Sequence, residues 1–503
     1  MKRDARDRAS ERPLRHEHHR RPITRRDFLA QGFLTGAALI ASPSLFGLFR
    51  SGGEAWAQAA SCGLSAGAGR IPFVCFDLAG GANVAGSNVL VGGPGGQLDL
   101  LSDEGYIAQG LPATMTPRLP GQVNTELGLA FHADSAFLRG ILSKTSPTTR
   151  ANVNGAVLCA QSENDTDNNP HNPMYGINKA GANGSLVTLI GTEPSESGGN
   201  SVAPMSMIDP TARPVKIEQP SDATGLVDTG KLVQLLDQDD AAAVMRAMEQ
   251  ITELKLAKMS EQAIVEELIR CGFLESSQLV ATFGNPALLN PLGDPDIAGG
   301  PAAIFTDAEL QQSEFEKTAA VMKLVVNGFA GAGTIELGGY DYHDSTRATG
   351  EVRDFEAGQA MGAVLEYAAR RGQQLVLYVF SDGSVVCDGR LDNSADGRGK
   401  GVWRSDNQST ASVFLLVYDP AGRPPLASPA TQQLGWFRPS GSVETAATRV
   451  SNNVDRLAEA IVLNYLALHN EVGRLAEVLP SHGLGASAAE IDRLVAFQPI
   501  RTG

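Results

Sequence analysis

Short apolar runs, each closed by glycine or a polar turn, recur along this chain and predict buried strands. The first, Ile71-Pro72-Phe73-Val74-Cys75-Phe76, ends in Asp77 and a Gly80-Gly81 turn. The run at 156–160 ends in Gln161-Ser162-Glu163, that at 186–190 in Gly191, and that at 334–337 in Gly338-Gly339. The run at 375–380 ends in Ser381-Asp382, and the one at 412–418 in Asp419. Helical patterns lie between them. Strands alternating with helices predict an α/β fold: a mostly parallel sheet flanked by helices and buried on both faces.

Residues 228–283 follow a different period. Val244, Ala247, Met248, Ile251 and Leu254 recur at helical spacing, followed by Ile264, Leu268 and Cys271, and Gly284 and Pro286 stop the pattern. This predicts a helical insertion over 228–300, placed as a cap over the sheet edge. A capping box, Thr306-x-x-Glu309, starts a helix that runs to about Val326. The last strong helix carries Val454, Leu457, Ala458, Ile461, Tyr465 and Leu468 on one docking face.

The N-terminus adds a destination. Thr24-Arg25-Arg26-Asp27-Phe28-Leu29 follows a basic stretch and precedes a modestly apolar run and two A-x-A patterns, Ala55-Trp56-Ala57 and Ala57-Gln58-Ala59. That order reads as a twin-arginine signal peptide, removed after export. The expected organisation is a signal at 1–57, a linker at 58–70, an α/β domain at 71–480 and a tail at 481–503. The expected location is periplasmic or extracellular, and the expected first partner is the twin-arginine (Tat) translocase.

Composition sharpens this. Loss of residues 1–57 removes eleven basic and six acidic residues, leaving 30 and 50 and a formal charge of −20. Such a surface repels nucleic acid and anionic lipid but tolerates divalent cations. Past the signal, no apolar run is long enough to span a membrane. The five cysteines form no C-x-x-C pair, and Cys75 and Cys159 read as small core residues. Ala59-Ala60-Ser61-Cys62 weakly resembles a lipidation site but lacks the aliphatic residue three positions before the cysteine.

Candidate chemistry gathers at the predicted strand ends, where open α/β sheets bind ligands. One cluster is Asp77 with Asn83, Ser87 and Asn88. Ser87 is the candidate nucleophile there, although no G-x-S-x-G elbow surrounds it. A second cluster is Gly338-Gly339-Tyr340-Asp341-Tyr342-His343-Asp344, and a third is Phe380-Ser381-Asp382-Gly383. A fourth is the polar loop 163–171, with Asp165, Asp167, Asn168 and His171. Asp341 and His343, two residues apart after a strand, suit zinc, manganese or iron. Each has an ordinary alternative: Asp341 can cap loop amides, Asp382 can hold a turn before Gly383, and His132 and His469 can sit at helix ends.

These residues together resemble a family of Tat-exported bacterial proteins known as domain of unknown function 1501, related to the alkaline phosphatase and sulfatase fold. Gly338-Gly339-Tyr340-Asp341-Tyr342-His343 matches the family's G-G-W-D-T-H well. Gly80-Gly81-Ala82-Asn83, Phe131-His132-Ala133, His171, Ser381-Asp382-Gly383-Ser384 and Arg404-Ser405-Asp406-Asn407-Gln408 match further family segments loosely and in order. The resemblance implies an alkaline-phosphatase-like fold and a site for a divalent metal (zinc, manganese, iron or calcium) held by Asp341, His343, Asp382 and Asp406. It implies a phosphate or sulfate ester hydrolase. Asn83 stands where the family has a carboxylate and Asn407 where it has a histidine, so the implied site is degenerate. The rival expectation is a non-catalytic envelope protein that assists secretion or assembly through its helical insertion.

Overall fold

A computed structural model describes residues 70–162, 169–226, 286–340, 342–343 and 347–501. The signal, the linker with Cys62, the insertion over 228–285, the loop 163–168 and Asp341 lie outside the described residues.

Among the described residues the strands are β1 (Phe73–Gly81), β2 (Val123–Asn124), β3 (Phe131–His132), β4 (Val153–Cys159), β5 (Val187–Gly191) and β6 (Val215–Lys216). They continue with β7 (Ala330–Leu337), β8 (Leu375–Gly383), β9 (Val385–Asp392), β10 (Lys400–Asp406), β11 (Ser412–Tyr418) and β12 (Gln433–Leu434). Eight of them form one sheet in the order β12-β4-β11-β8-β1-β7-β5-β6. Every predicted apolar run lies in it. Only β11 runs against the rest, pairing antiparallel with both β4 and β8. The protein is therefore an α/β protein with a mostly parallel, mixed sheet.

Six helices matter for the packing: α1 (Asp103–Ala108), α2 (Ala136–Lys144), α3 (Met174–Lys179), α4 (Ser313–Val326), α5 (Arg347–Arg371) and α6 (Val454–Leu468). The period of two along each strand divides them between the faces. Phe73, Cys75, Tyr378, Phe380 and Leu415 share one core with Leu457, Ile461 and Tyr465 of α6. Phe73 and Tyr465 meet edge to face at 5.6 Å. On β11, Phe414 faces the other way and meets Phe137 of α2 at 6.1 Å. There α2 crosses α5 at Gly140 and Gly358, where any Cβ would overlap the facing backbone.

Several local expectations change form. The Thr306–Glu309 box does close, with Thr306 N donating to Glu309 Oε2 at 2.8 Å and Glu309 N to Thr306 Oγ1 at 3.2 Å. It caps a 3-10 turn, Glu309–Gln311, and the extended Gln312 then starts α4 as a separate helix. Residues 286–300 are turns rather than helix, with 3-10 segments Pro286–Leu289 and Pro291–Gly293. Asp294 pins them, accepting from Lys323 of α4 and Tyr367 of α5, each at 2.8 Å. The expected tail docks too: Ala496 N donates to Asn464 Oδ1 of α6 at 2.7 Å, and Phe497 is buried. Among the described residues, no helix is long and apolar enough to cross a membrane.

Candidate functional site

Because β8, β1 and β7 are neighbours, their carboxyl ends bring three of the four predicted clusters side by side. Asp77 lies on the face that Phe73 and Cys75 share, and it is fully buried. It is also fully engaged. Its Oδ2 accepts the amides of Asn200 and Ser201, each at 2.8 Å, and its Oδ1 accepts the Ser201 hydroxyl at 3.1 Å. Gly199 lets that loop approach, because a Cβ there would overlap the carboxylate. Burial pushes the Asp77 carboxyl up to about 7; the Ser201 amide opposes the rise and Glu336 adds to it.

The turn after β1 carries Asn83, Ser87 and Asn88, all buried. Ser87 Oγ donates to Asn83 Oδ1 at 2.6 Å, an acceptor too weak a base to activate a nucleophile. The Asn83 amide nitrogen Nδ2 is buried and has no hydrogen-bond partner. The Asn83 backbone N–H donates to Tyr342 Oη at 2.9 Å, and Tyr342 donates onward to Asp354 Oδ1 of α5 at 3.1 Å. Asn88 Nδ2 closes the ring by donating to Asp354 Oδ2 at 2.7 Å. Burial pushes the Asp354 carboxyl up to about 7 against the Asn88 bond, with Glu351 adding to the rise.

At the end of β8 the predicted loop residue Asp382 is still in the strand. Its carbonyl accepts from Ser162 Oγ and Asn169 Nδ2, each at 2.7 Å, and its carboxylate Oδ1 accepts the Asn169 amide at 3.3 Å. His171 lies beside this seam, stacked on Phe380 at 5.9 Å, with Nε2 3.4 Å from Ser162 Oγ. Its Nδ1 is buried and unpartnered, and burial pushes the ring down to about 3, so it is neutral.

Beyond β8 the chain turns directly into the β9–β10 hairpin. Asp406, the last residue of β10, pairs with Val385 at the start of β9 and so returns to the sheet end. There it meets His343, with Nδ1 2.9 Å from Oδ1. The two side chains are 26% and 38% exposed, the most accessible of the candidate groups whose surroundings are described. Asn407 follows and faces its own backbone. Its Oδ1 accepts the Ser409 and Thr410 amides at 2.7 and 3.1 Å and the Ser409 hydroxyl at 2.7 Å. That is an Asx cap in which one oxygen takes three donors, more than the single lone pair of an imidazole nitrogen can accept.

The structure thus joins His343 to Asp406, joins Asp382 to the His171 seam, and ties Asp77 to the 200–201 loop. Among the described residues, no three His, Cys, Asp or Glu side chains converge to hold a metal ion. The residues that sequence reasoning missed are Tyr342 and Asp354. Asp354 had a signal: Arg347, Glu351 and Asp354 stand on the buried stripe of α5, where a helix normally places apolar residues. Two other histidines, His132 and His469, are structural. His132 Nε2 lies 2.8 Å from Met115 O, and His469 Nε2 accepts Ile71 N at 3.3 Å. Burial pushes both rings down to about 4. Cys75, Cys159 and Cys387 are buried free thiols.

No protein-family model matches the chain, and neither does any curated protein or solved structure.

Proposed function

We propose that this chain is a Tat-exported envelope protein with an alkaline-phosphatase-like sheet, whose strand-end polar groups hold the fold together rather than hydrolyse an ester. The observation that carries this reading is the use made of two strand-end candidates, Asp77 and Asn407, the second of which stands where the resemblance implies a histidine. Asp77 is spent on two backbone amides and a hydroxyl, and Asn407 caps its own turn. Both side chains turn their acceptor oxygens to the protein's own donors. Function then rests on binding, with an envelope protein partner taken up by the insertion at 228–300, reached after passage through the Tat translocase. The mature charge of −20 argues against nucleic acid in that role.

One observation favours a second reading, a single-metal phosphate or sulfate ester hydrolase. His343 and Asp406 are far apart in sequence, meet at 2.9 Å and remain part-exposed. An imidazole and a carboxylate suit zinc, manganese or iron, and Asp341 lies two residues before His343 in sequence. A metal there would supply Lewis-acid polarisation of an ester oxygen. His343 and Asp406 would orient it, and their present contact would have to open.

Elemental analysis of the exported protein, purified without chelator, separates the two. The first reading expects less than about a tenth of an equivalent of zinc, manganese, iron or calcium. It also expects no release of nitrophenol from p-nitrophenyl phosphate or sulfate. A full equivalent that disappears in His343→Ala, together with turnover, would establish the hydrolase instead.

A further inference from the structure

A cavity of about 400 Å³ opens on the outer side of α5 and shares no residue with the strand-end groups. Arg139 of α2, the segment leading into α4 and the turn of the β9–β10 hairpin complete its wall. Its volume lies in the range of small-molecule sites.

Apart from the exposed Asp396, the charges in its wall are already matched. Glu351 accepts from Arg139 Nη2 at 2.9 Å, Arg347 Nη2 at 2.5 Å and Lys400 Nζ at 2.8 Å. Glu309 is held by Lys144 at 2.6 Å and Glu356 by Arg353 at 3.1 Å. Arg398 in turn holds Asp134, and it does so from a left-handed backbone conformation, φ 57°. A non-glycine residue in that region is uncommon and marks a position fixed by its surroundings. A lone cation would meet two guanidiniums here, and a lone anion would meet four carboxylates, so neither charge is selected.

What remains is a surface for a neutral, hydroxyl-rich molecule. Val352, 45% exposed, and Phe355 give α5 an apolar strip facing the cavity. Gln312, Gln359 and Asp396 supply both donors and acceptors around it. Arg139 sits 5.4 Å over the Phe355 ring. Its Nε lies 3.7 Å from Asp134 Oδ1, and the residue lines the cavity.

We propose that this cavity binds a neutral saccharide, with a sugar ring against Val352 and Phe355 and its hydroxyls bonded by Arg139, Gln312, Gln359 and Asp396. The proposal is independent of whether the strand ends hold a metal. It is tested by saturation-transfer NMR on the exported protein with glucose, N-acetylglucosamine and maltose. Inorganic phosphate and putrescine serve as charged comparators. At least one sugar is expected to give saturation transfer that weakens about tenfold in affinity in Gln359→Leu and in Gln312→Leu. Gln312 is exposed and Gln359 half-buried, and unchanged melting temperatures would show that the variants fold. Three results would overturn the proposal: no sugar binds, only phosphate or putrescine binds, or sugar binding is the same in both variants.

Discussion

Asp77 and Glu351 are both buried carboxylates, yet they are built in opposite ways. Asp77 has only neutral donors, two amides and a hydroxyl, and burial carries its carboxyl up to about 7. Burial also pushes Glu351 upward, but Arg347 and Lys400 outweigh it and hold the carboxyl below its ordinary range. Hydrogen bonds from neutral groups stabilise an anion less than nearby full charges do. One region of the molecule therefore holds carboxyls that bind protons near neutrality, Asp77 and Asp354. The other holds a fixed ionic lattice that ties α2, α5 and β10 together.

The largest test breaks the lattice. Lys400 is fully buried between Glu351 and Asp134. Lys400→Met leaves Glu351 short of a partner and is expected to cost about 3–5 kcal/mol in urea unfolding. Adding Glu351→Gln is expected to recover part of that loss, and a strictly additive pair would show that the two residues do not act together.

The next test titrates the other region. In the fold, Asp77 and Asp354 release their protons near 7, against 3.8 in an unperturbed carboxyl. Between those values the folded chain binds more protons than the unfolded one, so stability falls as pH rises from about 4 to about 7 and levels off above. Glu351 acts with the opposite sign, contributing stability above its unfolded value that is lost on acidification. Unfolding free energies measured across this range should decline less steeply in Asp354→Asn. An unchanged slope would remove Asp354 from the account.

The smallest effect is expected where both partners are part-exposed. Asp406→Ala breaks the contact with His343, whose partners are 26% and 38% exposed, and should cost less than about 1 kcal/mol. A larger drop in unfolding free energy would place this pair with the buried lattice.

Much of the sheet was readable because each strand is a local apolar run, as in 71–76 or 375–380. The reversal of β11 was not, because strand direction depends on which neighbours it finds rather than on its own residues. The two-residue edge strands β6 and β12 carry too little pattern to register. In the site, His343 and Asp406 each stood out as ligand types, but their meeting depends on a hairpin that folds back across the end of β8. Asp77 drew notice as a carboxylate at a strand end, whereas the 200–201 amides that engage it come from a loop with no marked composition. Tyr342 was hidden as the variable residue of a D-x-H motif, and its bonds to Asn83 and Asp354 connect segments distant in sequence.

The position of β1 sets a timetable for the ribosome. The first strand among the described residues occupies the middle of the sheet, and its neighbours β7 and β8 begin only at Ala330 and Leu375. The helix that covers Phe73 begins at Val454. A newly made β1 must wait, with both edges bare, until most of the chain has been synthesised. Such distant pairing is slow and leaves sticky edges open meanwhile. Assembly is therefore an event of the finished polypeptide, and holding factors that guard the early segment should raise its yield.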